Sequence, residues 1–388
     1  MPWKETRVVD ERMQFIAAVL DDPQGNFTRL CAQFGISRNK GYKWVDRYKR
    51  MGPAGLEDQR PVARSCPHRT ADAVVDRILE MRKQHPFDGP KKLRARLLAI
   101  PNVGFCVPAA STVGDILDRY GLIRPRRVRL HTPPSTQPLE HADAPNRVWC
   151  TDFKGHFACR DGVRCYPLTV TDAASRYLIK CEGLTEPRYE PVRQQFERAF
   201  NEFGLPDRIR SDNGPPFATS TVGGLSHLSV WWIRLGIVPE RIEPGQPQQN
   251  GRHERMHRTL KEQTASPPAP TLADQQRLFD RFRADYNDCR PHEALGQIPP
   301  ARVYGPSCRP MPARLLDIEY ERDFHVRRVQ AGGQFDWKGT PLRVTKALRG
   351  ERIGFLQTDE DDWQLFYGPV LLCNLLRRAG VVRIEPIR

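Results

Sequence analysis

The sequence contains no run of about 20 apolar residues, so no stretch of it reads as a bilayer-spanning helix. It also lacks a leader pattern: the opening MPWKETRVVDERMQF is charged throughout, and we expect no signal peptide. Ten cysteines are present, yet none forms a CxxC pair and no Cys/His set has zinc-finger spacing. A disulfide framework and a structural zinc site are therefore disfavoured. The thiols are expected to be reduced and mostly buried in a cytosolic protein. Acidic residues are also outnumbered. Against 61 Lys and Arg stand 46 Asp and Glu, a formal net charge of +15. That surplus favours a polyanionic partner, nucleic acid first, over an anionic membrane surface.

With 388 residues the chain predicts two to four domains, and its 35 prolines cluster where domain boundaries would fall. From Lys4 to Leu20 apolar residues recur at helical spacing. A short helix, Thr28 to Phe34, a turn at Gly35-Ile36-Ser37 and a helix from Arg38 to Met51 then fit a helix-turn-helix, with Ser37 as a natural N-cap. A recognition helix inserts its N-terminal residues into the major groove, which makes Arg38, Asn39, Lys40, Lys43 and Arg47 DNA-binding candidates. The same residues also suit a solvated basic helix in a small bundle. Residues 1–60 are thus assigned to a helix-turn-helix domain. Residues 61–130 are assigned to a second, similar helical domain, with helices over Ala71 to Gln84, Pro90 to Ile100 and Ser111 to Tyr120. Ser111 or Thr112 would cap the last helix. The second domain ends in a basic tether, where Arg124, Arg126 and Arg127 can lie along phosphates. Residues 131–145 read as a linker.

From Asn146 the pattern changes. Val148 to Phe157 has strand character, and the stretch after Gly162 reads as two more strands of an antiparallel meander. Helices and short strands then alternate, which predicts a mixed α/β sheet covered on both faces over residues 146–304, ending in an amphipathic helix from Thr271 to Asp288. Residues 315–388 alternate short β-rich runs with turns and suit a small all-β, SH3-like barrel.

The central stretch is IRSDNGPPF, Ile209 to Phe217, where a strand stops and presents Asp212 from a loop. Asp-Asn-Gly is equally ordinary turn chemistry. Two other acids change the reading: Asp152 in a strand three residues after Trp149, and Glu254 in the first turn of a helix that begins near Gly251. Three carboxylates on separate elements can share a pair of divalent cations, which would stabilise the attacking and leaving oxygens of a phosphoryl displacement. Other polar residues are given structural roles. Asp172 is expected to bond near Ser175 or Arg176, and His253 and His257 to lie at the surface or face DNA. Trp231 and Trp232 are expected in the core.

These motifs resemble those of integrase-core insertion-sequence transposases, the DDE recombinases with a ribonuclease H-like catalytic domain. Trp149-x-x-Asp152, Ser211-Asp212-Asn213-Gly214 and Pro247-x-x-Asn250-Gly251-x-x-Glu254 match the three acidic motifs, and the resemblance covers most of the chain. It implies that Asp152, Asp212 and Glu254 bind two Mg²⁺ (or Mn²⁺) ions and that Lys261 meets DNA near the cut. Arg258 lies with Lys261 on the helical face of Glu254. It further implies element-end and target DNA as partners, a homo-oligomer on DNA, no small-molecule cofactor, and a nucleoid-associated prokaryotic protein. Tyr286-Asn287-x-x-Arg290-Pro291-His292 resembles the family's closing motif and is read as structural. The 41 residues between Asp212 and Glu254 exceed the compact retroviral spacing, and the excess is assigned to the loop and helix from Phe217 to Trp232. Two other readings stay open: a catalytically silent helix-turn-helix regulator, and a metal-dependent nuclease without strand transfer.

Overall fold

The computed structural model describes residues 8–58, 69–101, 103–123, 142–243, 251–315, 317–359, 362–378 and 381–386. They form two compact units, Met1–Arg69 and Thr70–Arg388. Arg124, Arg126, Arg127, Pro247, Asn250 and most of the linker at 131–145 lie outside the described residues.

The first unit packs α1 (Val8–Asp21), α2 (Phe27–Gln33) and α3 (Arg38–Met51) around Phe15, Ile16, Cys31 and Leu56. Ser37 caps α3 as its position predicted, its hydroxyl accepting from the Lys40 amide at 3.4 Å. The turn before it uses Gly35 in the left-handed region (φ +64°). Gly41 allows α2 and α3 to approach closely, because a Cβ there would sit 2.6 Å from Cys31 Sγ.

The second unit begins with α4 (Asp72–Gln84), α5 (Pro90–Leu98) and α6 (Ala110–Arg119), packed around Ile78, Leu93, Leu97, Val113 and Ile116. The expected caps Ser111 and Thr112 fall inside α6. The backbone stays extended through Ala109, just after Pro108, and turns helical at once, without a side-chain cap. A buried ionic cluster fastens these helices to the rest of the unit. Arg96 Nε donates to Asp88 at 2.7 Å and its guanidinium lies 3.3 Å from Asp285, while Arg290 meets Asp88 at 3.3 Å.

The central sheet contains β1 (Val148–Phe153), β2 (Phe157–Ala158), β3 (Arg164–Asp172), β4 (Leu178–Leu184), β5 (Arg208–Ser211) and β6 (Val238–Arg241). Its order is β2-β3-β1-β5-β6, with β4 also paired to β3. β1, β3 and β4 are antiparallel, whereas β1, β5 and β6 run parallel. The sheet is therefore mixed, as expected. Helices α7 (Tyr189–Phe203) and α8 (His227–Arg234) cover one face over Trp149, Phe196, Phe200 and Trp232. Helices α9 (Gly251–Thr264) and α10 (Leu272–Ala284) cover the other over Cys165, Leu178, Met256 and Phe279. Burial on both faces explains why β1, β3 and β4 are almost continuously apolar or small. Trp231 and Trp232 are core residues, and Cys31, Cys150, Cys159, Cys165, Cys181 and Cys373 are buried free thiols.

α10 ends four residues before its expected limit. The chain widens there into a π turn, Asp285–Cys289, which sends Tyr286 and Asn287 inward. Asn287 then accepts from the Leu178 amide at 2.8 Å and donates to the Leu178 carbonyl at 3.0 Å, closing the start of β4.

At the C-terminal end, β7 (His325–Arg328), β10 (Arg352–Gln357), β11 (Asp362–Tyr367), β12 (Val370–Arg378) and β13 (Val381–Pro386) make an antiparallel sheet, with a hairpin of β8 (Gln334–Trp337) and β9 (Thr340–Arg343). This all-β module shares its core with Leu225, Val230 and Ile233 of the α8 region. That support matters, since a domain of this size is marginal alone. Among the described residues, no helix is long and apolar enough to cross a membrane.

Candidate active site

The parallel pairing of β1 and β5 aligns Val148 with Arg208 and Cys150 with Arg210. Extending that register by two residues brings Asp152 level with Asp212, one step past the end of β5. The two carboxylates thus share one end of the sheet. A tight turn holds Asp212: its Oδ1 accepts from the Gly214 amide at 3.3 Å, and Asn213 donates to the Ile242 carbonyl at 2.9 Å. A Cβ on Gly214 would stand 3.2 Å from Asp212 Oδ2, a tight contact that would press on the carboxylate. Below the turn Phe217 is buried against Phe153, their rings 5.7 Å apart.

Burial first, then the charge of Asp212 and a smaller push from Glu254, raise the Asp152 carboxyl to about 7 against the opposing Phe153 amide and Lys154. Asp212 is also raised, chiefly by burial. Two partly desolvated carboxylates that repel each other are disposed to take a cation. Their donors are all oxygen, which suits a hard divalent ion. Glu254 occupies the first turn of α9 as the sequence predicted, and it is exposed. Among the described residues, no three His, Cys, Asp or Glu side chains are gathered closely enough to hold one metal ion. The structure therefore aligns the two aspartates and leaves Glu254 beside them without closing the set.

The expectation for His253 and His257 is corrected. Both are buried, at 2% and 3% exposure, because they sit one turn apart on the face of α9 turned to β3. Thr169 Oγ1 lies 2.7 Å from His253 Nε2 and 2.6 Å from His257 Nε2, and Thr171 Oγ1 lies 3.0 Å from His253 Nδ1. Thr169 also donates to the Asp152 carbonyl at 3.1 Å, and His257 Nδ1 stands 3.7 Å from Asp152 Oδ2. Burial lowers the His253 imidazole to about 3 and His257 to about 2, so both rings are neutral. They pin the Glu254-bearing helix to the strand beside Asp152. The i, i+4 histidines and the i, i+2 threonines carry the sequence signal for this pairing, and reading each element alone missed it.

Asp172 is structural, as expected. It accepts from the Asn146 amide at 2.8 Å, the Ser175 amide at 2.7 Å and the Ser175 hydroxyl at 2.6 Å. Arg258 and Lys261 are exposed on α9. In the first unit Arg38, Asn39, Lys40 and Lys43 are exposed on the first turns of α3. Arg47 is half-buried instead, donating to the Glu57 carbonyl at 2.7 Å and lying 4.8 Å from the Trp44 ring centre.

Profiles described as "Integrase core domain" match residues 142–247 and 235–300, a "Helix-turn-helix domain" profile matches 11–64, and a "Homeodomain-like domain" profile matches 40–117. An uncharacterized protein of insertion element IS407 from Burkholderia multivorans is 28% identical over 46% of this chain and 62% of its own length. A protein of insertion element IS476 from Xanthomonas euvesicatoria is 29% identical over 46% of this chain and 50% of its own. The chain thus spans about half to three-fifths of these relatives. Among solved structures, a simian T-cell lymphotropic virus intasome chain aligns with 75% of this chain and 97% of its own, at 17% identity and a TM-score of 0.37.

Proposed function

Starting from the chain's membership of the integrase-core transposase family of insertion elements, we propose that it is a DNA transposase, cutting element ends and joining them to target DNA. The observation that carries this reading is the alignment of Asp152 with Asp212 at the end of two parallel strands, beside a helix that bears Glu254. In this reading the three acids hold two Mg²⁺ or Mn²⁺ ions. Bound there, the ions would supply charge stabilisation for a phosphoryl displacement. The protein's own part is positional. Gly214 and Asn213 set the Asp212 carboxylate, and Thr169, His253 and His257 hold α9 against β3. Arg258 and Lys261 meet the backbone of the DNA being cut. Arg38, Asn39, Lys40 and Lys43 enter the major groove of the terminal repeats, and Arg124, Arg126 and Arg127 follow along the phosphates. The central domain is read as ribonuclease H-like. The C-terminal module is read as an SH3-like aid to DNA binding or assembly, with at least two copies acting on paired ends.

The test uses a labelled element-end duplex, target DNA and Mg²⁺, with the wild-type protein and Asp212→Asn side by side. Joined products from the wild type alone support the proposal. Cleavage without joining favours the nuclease reading, and binding without cleavage favours the regulator. Equal joining by Asp212→Asn shows the site assignment to be wrong.

A further inference from the structure

We propose that the groove between the first turns of α5 and α6 and the outer flank of α9 is a second site for the phosphate backbone of duplex DNA, meeting the side of the acids at Arg258. This rests on the transposase reading and adds to it a surface that the family motifs do not assign. The groove, of about 890 Å³, is lined by the cations Lys91, Lys92, Arg176, Arg252, Arg255, Arg258 and Arg290, with Glu262 and Glu293 as its carboxylates. Lys91 already occupies Glu293 in a close ion pair. Arg252 and Arg255 donate to the backbone carbonyls of Ala173 and Gly251, at 3.5 and 3.4 Å. Among the described residues, neither they nor Arg176 and Lys92 form an ion pair.

The placement sets only part of this surface away from the acids. Successive residues of an α-helix are about 100° apart. Arg252 and Thr259 therefore lie roughly opposite Glu254 and Lys261, with His253, Met256, His257 and Leu260 buried on one side of the helix, while on the other side Arg255 and Arg258 lead round to Glu254. The opposite wall presents Gly89, Pro90, Ala110 and Ser111, where two helices start without a side-chain cap. Helix starts of this kind favour anions and add to the charge of the arginines. Burial first, and neighbouring cations second, hold two of these charges in an unfavourable state. Burial lowers Lys92 to about 8, with Arg290 contributing, and burial together with Arg252 lowers Arg176 to about 10. A bound phosphate would relieve both. A duplex rather than a small anion fits, because the cations are spread along the groove on residues from separate segments of the chain.

Binding is read with the Asp212→Asn protein and a random-sequence DNA duplex, so that no chemistry intervenes. Each lost phosphate contact lowers the slope of log Kobs against log[salt] by about 0.9. Arg252→Gln with Arg255→Gln is expected to reduce that slope by about 2. Ser111→Asp places a carboxylate in the groove at a position that favours the helix start, so it should fold normally and weaken binding about tenfold or more. A control carrying Arg188→Gln and Arg322→Gln, two exposed arginines outside the groove, removes the same charge. If the control lowers the slope as much as the groove pair, or if Ser111→Asp binds as the parent does, the groove is not a DNA site. Either result leaves the transposase reading intact, since that depends on joined products from the wild type.

Discussion

Asp152 is the residue where stability and function oppose each other most clearly. Its carboxyl sits at about 7 in the folded protein, against an ordinary value of 3.8. A group raised in this way contributes stability that is fully present below 3.8 and is lost as pH rises through about 7. Asp152→Asn should therefore raise the urea midpoint of the metal-free protein at pH 8 and leave it almost unchanged at pH 4. A midpoint that falls at pH 8 would contradict the repulsion between Asp152 and Asp212. His253 and His257 act in the other direction. The folded rings stay neutral down to about 3 and about 2, while the unfolded ones take up protons near 6.5. Their contribution is present above 6.5 and declines as pH falls towards the folded values. The strand that ends before Asp212 and the place of Glu254 in the first turn of α9 were legible from spacing and turn chemistry. The histidines were not, because only contact with Thr169 and Thr171, more than 80 residues away, decides that they face inward.

The helices and strands mostly follow their apolar periodicity and turn residues, and Ser37, Gly35 and the end of β5 stand where those signals place them. The departures come from tertiary contact. α10 opens into a π turn because Asn287 reaches the Leu178 backbone, and no local pattern announces a partner 109 residues away. The same holds for Asp88, which is 1% exposed and meets Arg96 and Arg290. Asp88→Ala removes the shared acid, leaving the buried Arg290 guanidinium without its carboxylate and Arg96 with Asp285 alone. Loss of one partner from such a network costs about 3–5 kcal/mol. Calorimetry should show a clear drop in the unfolding temperature of the second unit, and a change under 1 °C would show the cluster to be unimportant. In the first unit, α3 presents Asn39 between exposed cations. Asn39→Ala should relax sequence preference at one base position, at about 1–3 kcal/mol, whereas Lys43→Ala should weaken binding evenly across sequences and lower the salt slope by about 1. Competition binding over a set of variant duplexes separates the two.

Across the whole molecule, a net charge of +15 is spread over exposed basic residues of α3, the outer flank of α9 and its Glu254 side. In the proposed reading such a surplus accounts for DNA affinity and its salt dependence, while the chemistry rests on the acids at the sheet end. The most direct measurement is strand joining by Asp152→Asn, Asp212→Asn and Glu254→Gln, compared with Asp172→Asn and the wild type in Mg²⁺ at equal DNA occupancy. Metal-held charge stabilisation is worth several kcal/mol, so each of the first three should lose joining by about a hundredfold or more. Asp172→Asn should retain joining in proportion to its folded fraction, because its partners are Asn146 and Ser175 and lie within the fold. Joining near the wild-type rate by any of the first three variants would contradict the account.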